Sequence, residues 1–278
     1  MTHQARGAAQ IDARQRRVVL TIAGSDPSGG AGVQGDLKTF AAHGVYGMAV
    51  ITALTVQNTR GVTRIEPVAP DLVGEQISAV VSDLEPQAIK IGMLATGPIV
   101  RAVASVLRRH RHGRGASNPV AIVVDPVMAA TGGAVLLDAD GVVAIREDLL
   151  PLATVVTPNT IEAEQLTGLP VHSVVDAHRA AARLVSLGAA AAIVTGGHLD
   201  GPPVDVLFDG VRAIEFTGPR IESTDTHGTG CAFSSALAAR LSLGDALETA
   251  TQHAKAYVAA AIGRAPQLGA GRGPLGHG

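Results

Sequence analysis

Short apolar runs alternate with stretches of helical period along most of this chain. Val18 to Ala23 is β-branched and apolar, and Gly24 stops it, which reads as a buried strand. Val33, Leu37, Phe40 and Ala41 then recur at helical spacing until Gly44. The alternation continues with strands predicted over 48–56, 88–91, 120–124, 154–156 and 191–194. Helices are predicted over 71–84, 99–107, 139–149, a short acidic stretch through Glu162 and Glu164, 174–187, 229–243 and 246–262. Val204 to Phe208 and Val211 to Phe216, joined by Asp209-Gly210, predict a hairpin. Residues 57–61 and 110–118 read as loops. Fully apolar strands separated by helices predict an α/β fold with a mostly parallel sheet covered on both faces. No internal repeat or interdomain linker interrupts the pattern, so residues 17–266 are expected to form one domain. Residues 1–16 are expected to be a flexible extension, and 267–278 a loosely held Gly-rich tail.

Composition narrows the functions. With 22 basic and 24 acidic residues the net charge is −2, and aromatics make up 2% with no Trp. Neither a nucleic-acid surface nor a base-stacking platform fits. The apolar runs are too short to span a bilayer. A single cysteine excludes an intrachain disulfide framework and suits a reducing cytoplasm.

Candidate chemistry gathers where strands end. Ligands of open α/β sheets sit at the carboxyl ends of the strands. There the chain places the Gly24 to Gly32 loop, Gln57, Met93, Asp125, Asn159 and Thr195-Gly196-Gly197. The loop from Gly24 holds four glycines in nine residues but lacks a dinucleotide or P-loop signature, so it reads as a wall over a small ligand. Asp125, Asn159 and Glu162 suit a hard cation such as Mg2+, which binds through one or two carboxylates plus substrate phosphates. Thr226-His227-Gly228-Thr229-Gly230-Cys231 precedes a small-residue helix. Gly228 and Gly230 permit close ligand approach, and the free N–H groups of the first turn can hold a phosphate or oxyanion. Cys231 sits at that helix start, where a thiol loses its proton most easily, and is the candidate base. His227 could simply brace the turn.

These segments resemble a known family. Residues 23–39, Ile51 to Leu54 with Gln57 to Gly61, Lys90 to Leu94, Asp125 to Met128, Thr157 to Asn159, Gly196 to His198 and Thr226 to Cys231 are similar, in order, to the hydroxymethylpyrimidine/phosphomethylpyrimidine kinases of thiamine biosynthesis. Those enzymes belong to the ribokinase-like superfamily. The resemblance implies a three-layer αβα sandwich. It also implies MgATP-dependent phosphorylation of 4-amino-5-hydroxymethyl-2-methylpyrimidine to its monophosphate and then to the diphosphate. By position, Cys231 with Gly228 and Gly230 carries the chemistry. Gln57 binds the pyrimidine, and Gly24, Asp36, Met93 and Val127 line its pocket. Asp125, Asn159, Glu162, Thr195, Gly196 and Thr229 lie on the MgATP side, with Asp125 and Glu162 as metal ligands. A homodimer is implied too. The chain departs from the family at Thr195 and at Ala130-Thr131-Gly132, where lysines are usual; Arg146 and Arg220 are candidate replacements. A pyridoxal kinase of the same superfamily, and a non-catalytic pyrimidine or nucleotide binder, stay open as alternatives.

Overall fold

The computed structural model describes residues 17–113, 119–130 and 132–278. The extension 1–16, most of the polar loop after residue 113, and Thr131 lie outside the described residues. Nine strands form one sheet: β1 Val18–Ser25, β2 Tyr46–Asn58, β3 Gly61–Pro67, β4 Ala88–Ile91, β5 Ala121–Val124, β6 Val155–Val156, β7 Ala192–Val194, β8 Val204–Phe208 and β9 Ala213–Thr217. Their spatial order is β3-β2-β1-β4-β5-β6-β7-β8-β9. The six strands from β2 to β7 in that order pair in parallel, with Leu20 beside Ile89 and Ile89 beside Ile122. β3 joins one edge antiparallel to β2, and β8 and β9 extend the other edge as a hairpin.

Two cores follow from the alternation of side chains along the strands. Leu20, Ile22, Ile89, Ile91, Ile122 and Val124 face α2 (Pro70–Asp83), α3 (Gly97–Gly113), α4 (Ala139–Ala144), α5 (Thr160–Thr167) and α6 (Val174–Ser186). Val19, Ala88, Val123, Val155 and Ile193 face α1 (Gly32–Ala42), α7 (Thr229–Ser242) and α8 (Leu247–Gly263). This is the three-layer αβα sandwich expected above. Most of α7 is buried, from Ala232 to Ala239, because its small side chains let it lie against the sheet and α8 together.

Four details depart from the pattern reading. Residues 61–67 form β3, so Asn58 to Gly61 is a hairpin turn and not the start of a long loop. The helix of 99–107 continues to Gly113. The helix expected over 139–149 is α-helical only to Ala144, then passes into a π turn (Ile145–Leu149) and a 3-10 turn (Leu150–Leu152). Pro151 offers no N–H and clashes with a preceding carbonyl, so the α-helix cannot run on. The Gly-rich tail is packed: Arg272 N–H donates to Thr59 O (2.8 Å), His227 N–H to Gly273 O (3.1 Å) and Gly276 N–H to Ala261 O (3.0 Å), and Leu275 is buried.

On the α1/α7 side of the sheet, Lys90 and Asp36 are both fully buried. Asp36 Oδ1 accepts from Lys90 Nζ (3.0 Å) and Ser235 Oγ (2.7 Å), and Oδ2 from Lys90 Nζ (2.9 Å) and Thr21 Oγ1 (2.6 Å). Removing one partner leaves an uncompensated buried charge. Lys90→Met is therefore expected to lower unfolding free energy by about 3–5 kcal/mol, measured by urea denaturation.

Candidate active site

The carboxyl ends of β1, β4, β5, β6 and β7 and the start of α7 lie at one edge of the sheet, as parallel pairing requires. Gly228, the residue before α7, has φ 85°, and a Cβ there would overlap the carbonyl of Gly30. Glycine at both positions thus lets the two loops meet backbone to backbone. The first intrahelical bond of α7 is Ala232 N–H to Gly228 O, which leaves the N–H groups of Gly230 and Cys231 for a ligand. A Cβ on Gly230 would meet nothing within 4 Å, so the turn is open. Thr229 begins the helix, and its N–H reaches back to Thr226 O at 3.4 Å.

Ser234 and Ser235, one turn further along α7, join this turn to the sheet. Ser234 Oγ donates to Asp125 Oδ2 at 2.9 Å, and Ser235 Oγ to Asp36. Asp125 follows β5 directly, and its N–H donates to Ile91 O. Asn159 caps α5: its Oδ1 accepts from Ile161 N–H (2.9 Å) and Glu162 N–H (3.0 Å), while Glu162 Oε2 accepts from Asn159 N–H (2.9 Å). This capping box is why Glu162 points inward. Glu162 also accepts from the backbone of Met128. Burial, and then the Asp125 charge, push Glu162 up to about 8. Burial likewise raises Asp125, against the opposing pull of Lys90 and the Ser234 hydrogen bond. A buried carboxylate raised by its neighbour's negative charge is the donor set a divalent cation relieves. Among the described residues no cluster of three or more His, Cys, Asp or Glu stands ready for a metal. Two carboxylates fit Mg2+ completed by phosphate oxygens and water.

Cys231 behaves otherwise than its place at a helix start suggests. Burial pushes its thiol up to about 12, helped by Asp125 and Asp36 and opposed by Lys90 and a hydrogen bond from Gly32. The ligand-free thiol is therefore protonated at neutral pH. Burial and two carboxylates outweigh the helix terminus.

On the other side of the turn, Met93, Ala53, Ala95 and Leu136 form a small apolar cluster with Val127, Val62 and Ile65 under the β2–β3 hairpin. Gly24 lies against Met93 Sδ. The structure thus brings Gly24, Met93 and Val127 together. Gln57, at the end of β2, is linked to His227 by an amide–ring contact of 3.2 Å. Asp36 is not with them: it is sealed beneath the site in the Lys90 pair, with both oxygens occupied. Thr195 and Gly196 sit beyond β7; Thr195 N–H donates to Pro158 O, and Gly196 N–H to Asp205 Oδ1, itself paired with Lys255 at 2.7 Å. Arg220 donates to the carbonyls of Gly197, Leu199 and Gly201, so it braces that loop. Lys90, Asp26 and Ser234 were not among the expected site residues. Lys90 alone had a legible signal, a single charge inside an apolar strand.

Residues 26–276 match the family described as phosphomethylpyrimidine kinase. The chain belongs to that family. It is 49% identical over 264 residues to a hydroxymethylpyrimidine/phosphomethylpyrimidine kinase of Rhizobium meliloti, covering 94% of this chain and 96% of the relative. It is 48% identical over 263 residues to the thiamine biosynthesis bifunctional protein ThiED of Geobacter sulfurreducens, covering 94% of this chain but only 52% of that longer protein. Among solved structures, the pyridoxal kinase from Staphylococcus aureus in complex with AMP-PCP and pyridoxal is similar, with a TM-score of 0.84 and 37% identity over 95% of this chain and 94% of that one. The fold is the ribokinase-like one these kinases share.

Glu162 supplies a pH signature. Its folded value lies above its ordinary 4.5, so between the two the native protein holds a proton that the unfolded chain has lost. This contribution to stability is complete below 4.5 and is lost as pH rises through about 8. In metal-free buffer the stability difference between the native sequence and Glu162→Gln is expected to move against the native sequence from pH 5 to 8 and then level off, followed by denaturant midpoints.

Proposed function

We propose that this chain transfers the γ-phosphoryl group of ATP to the hydroxymethyl oxygen of 4-amino-5-hydroxymethyl-2-methylpyrimidine, and then a second phosphoryl group to the monophosphate. The observation that carries this reading is the junction at Ser234. Ser234 Oγ donates to Asp125 Oδ2 one helical turn after Gly230, so that carboxylate lies beside the turn that carries the free N–H groups. Phosphoryl transfer asks mainly for positioning and charge neutralisation, and those two features supply both. The turn from Gly228 to Cys231 holds the transferred phosphate, and Thr195, Gly196 and Thr229 border the nucleotide beside Asn159. Gln57 reads the amino edge of the ring over the floor made by Gly24, Met93 and Val127. Mg2+ ligated by Asp125 and Glu162 would offset phosphate charge and cancel one of the two carboxylates that keep Cys231 protonated. With that charge offset the Cys231 thiol would release its proton to water, and the thiolate, favoured by Lys90 beneath it, would accept the proton of the acceptor hydroxyl.

The proposed reading includes a cytoplasmic homodimer. One free cysteine suits that compartment. Leu54 and Val56, about half exposed on the outer face of β2, give a second copy an apolar surface to cover. Pyridoxal is the second acceptor to consider, because the similarity to a pyridoxal kinase spans nearly the whole chain.

Turnover of ATP with the hydroxymethylpyrimidine, its monophosphate and pyridoxal, with products separated by mass, tests the reading. Activity on the first two is expected; activity on pyridoxal alone would overturn it. Cys231→Ala is expected to cut kcat by about 100-fold or more with nucleotide affinity nearly unchanged in calorimetry. Gln57→Leu should raise the KM for the pyrimidine about tenfold and leave the ATP KM unmoved.

A further inference from the structure

His227 is held on three sides. A Cβ on Gly30 would fall 2.5 Å from its ring, so the ring lies flush on the Gly-rich loop. Its backbone N–H donates to Gly273 O, and it bridges to Pro274 of the C-terminal tail. Its Nε2 lies 2.8 Å from Asp26 Oδ2, and both side chains are largely buried. Asp26 is equally committed: it also accepts from Ser28 N–H, Ser28 Oγ and Ala31 N–H. A lone pair on Nε2 would face that carboxylate, so Nε2 carries hydrogen.

The same Nε2 lies 3.2 Å from Gln57 Nε2, while Gln57 Oε1 lies 3.1 Å from Thr55 Oγ1. In that orientation two N–H groups confront each other. The one Thr55 hydroxyl hydrogen must also serve two acceptors, because Thr55 Oγ1 is 2.9 Å from Ser25 O as well. Turning the amide by half a revolution removes the clash: the single Nε2 hydrogen of His227, directed to Asp26 Oδ2 at 2.8 Å, is shared with the amide oxygen in a three-centre contact. The amide NH2 then donates to Thr55 Oγ1, whose hydrogen stays on Ser25 O. One amide hydrogen and one oxygen lone pair remain, each in a fixed place.

We propose that His227, clamped by Asp26, Gly30 and the C-terminal tail, is a positioning residue that fixes the Gln57 amide with its oxygen toward His227. It thereby makes the site select a 4-amino over a 4-oxo pyrimidine. The two ring types present opposite donor and acceptor patterns, so an amide free to flip reads both and a fixed amide reads one. The inference rests on the placement of an aminopyrimidine at Gln57.

Calorimetric binding of 4-amino-5-hydroxymethyl-2-methylpyrimidine and of its 4-oxo counterpart tests it, without turnover. The native protein is expected to prefer the amino compound by about 100-fold. His227→Leu is expected to reduce that ratio to within about tenfold, and His227→Gln, which returns an N–H near the position of Nε2, to restore most of it. If His227→Leu fails to fold, Asp26→Asn provides the same readout, since Nε2 is then no longer obliged to carry hydrogen. Equal weakening of both ligands with the ratio preserved would make His227 merely structural and overturn the inference. Tight binding of the amino compound with no discrimination in the native protein would also overturn it. A native protein that binds neither pyrimidine would overturn the pyrimidine reading, and the inference with it.

Discussion

The buried pair of Lys90 and Asp36 is the constraint on which the site depends. It sits between sheet and helix layer and engages β1 through Thr21, α1 through Asp36, β4 through Lys90 and α7 through Ser235. Burying two charges costs several kcal/mol each, and apolar side chains of equal volume often serve stability as well. An apolar pair could not set the rotation of α7, however. With Ser235 on Asp36, the preceding Ser234 falls on Asp125, and the open turn lands beside the strand ends. Nor could it place a positive charge beneath Cys231 and Asp125. Lys90 is held charged despite its burial, chiefly by Asp36 and further by those two groups.

That one cation faces too many anions. Asp36 consumes it directly, Asp125 and the Cys231 thiol share what is left, and Glu162 faces Asp125 instead. Burial first, and the charge of Asp125 second, keep Glu162 and Cys231 protonated in the free protein. Protonation is how a buried site sheds charge that it cannot solvate. In the proposed reading a divalent cation would displace the Glu162 proton and turn Asp125 and Glu162 into ligands, so that a metal–nucleotide complex would be favoured over the bare polyphosphate.

Much of this was legible before the fold. The alternation of apolar runs and helical periods yields eight of the nine strands and the layers. The strand ends mark Asp125, Asn159 and the Thr195 loop, because parallel sheets carry their ligands there. β3 escaped because Thr59-Arg60-Gly61 reads as a loop and its strand is mostly exposed, with only Val62 and Ile65 packed on the apolar cluster and no strict alternation to announce them. Asp36 was misjudged because proximity in a motif does not reveal which way a helical side chain points. Cys231 misled in the same way: the helix start is local and visible, while burial and the carboxylates are contributed from far along the chain. The tail is the clearest case. Its glycines suggest looseness, yet they let the backbone approach Thr59 and Asp225 closely enough to be fixed.

The absent lysines can be weighed in the same terms. Arg220 spends its donors on three carbonyls of the loop after β7, and Arg146 lies 4.0 Å from Glu147 at the surface. Lys255 is bound to Asp205, which in turn holds Gly196. Arg220 and Lys255 are thus committed to the protein itself. What remains is the start of α7, where the leftover N–H groups and the helix dipole carry partial positive charge, and the cation that Asp125 and Glu162 would ligate in the proposed reading. In the proposed reading, nucleotide charge would be met chiefly by backbone N–H groups and metal. Backbone N–H groups are fixed in place by the fold, so the contacts between Gly30 and Gly228, Ser234 and Asp125, and Ser235 and Asp36 matter more here than in a site with two mobile lysines.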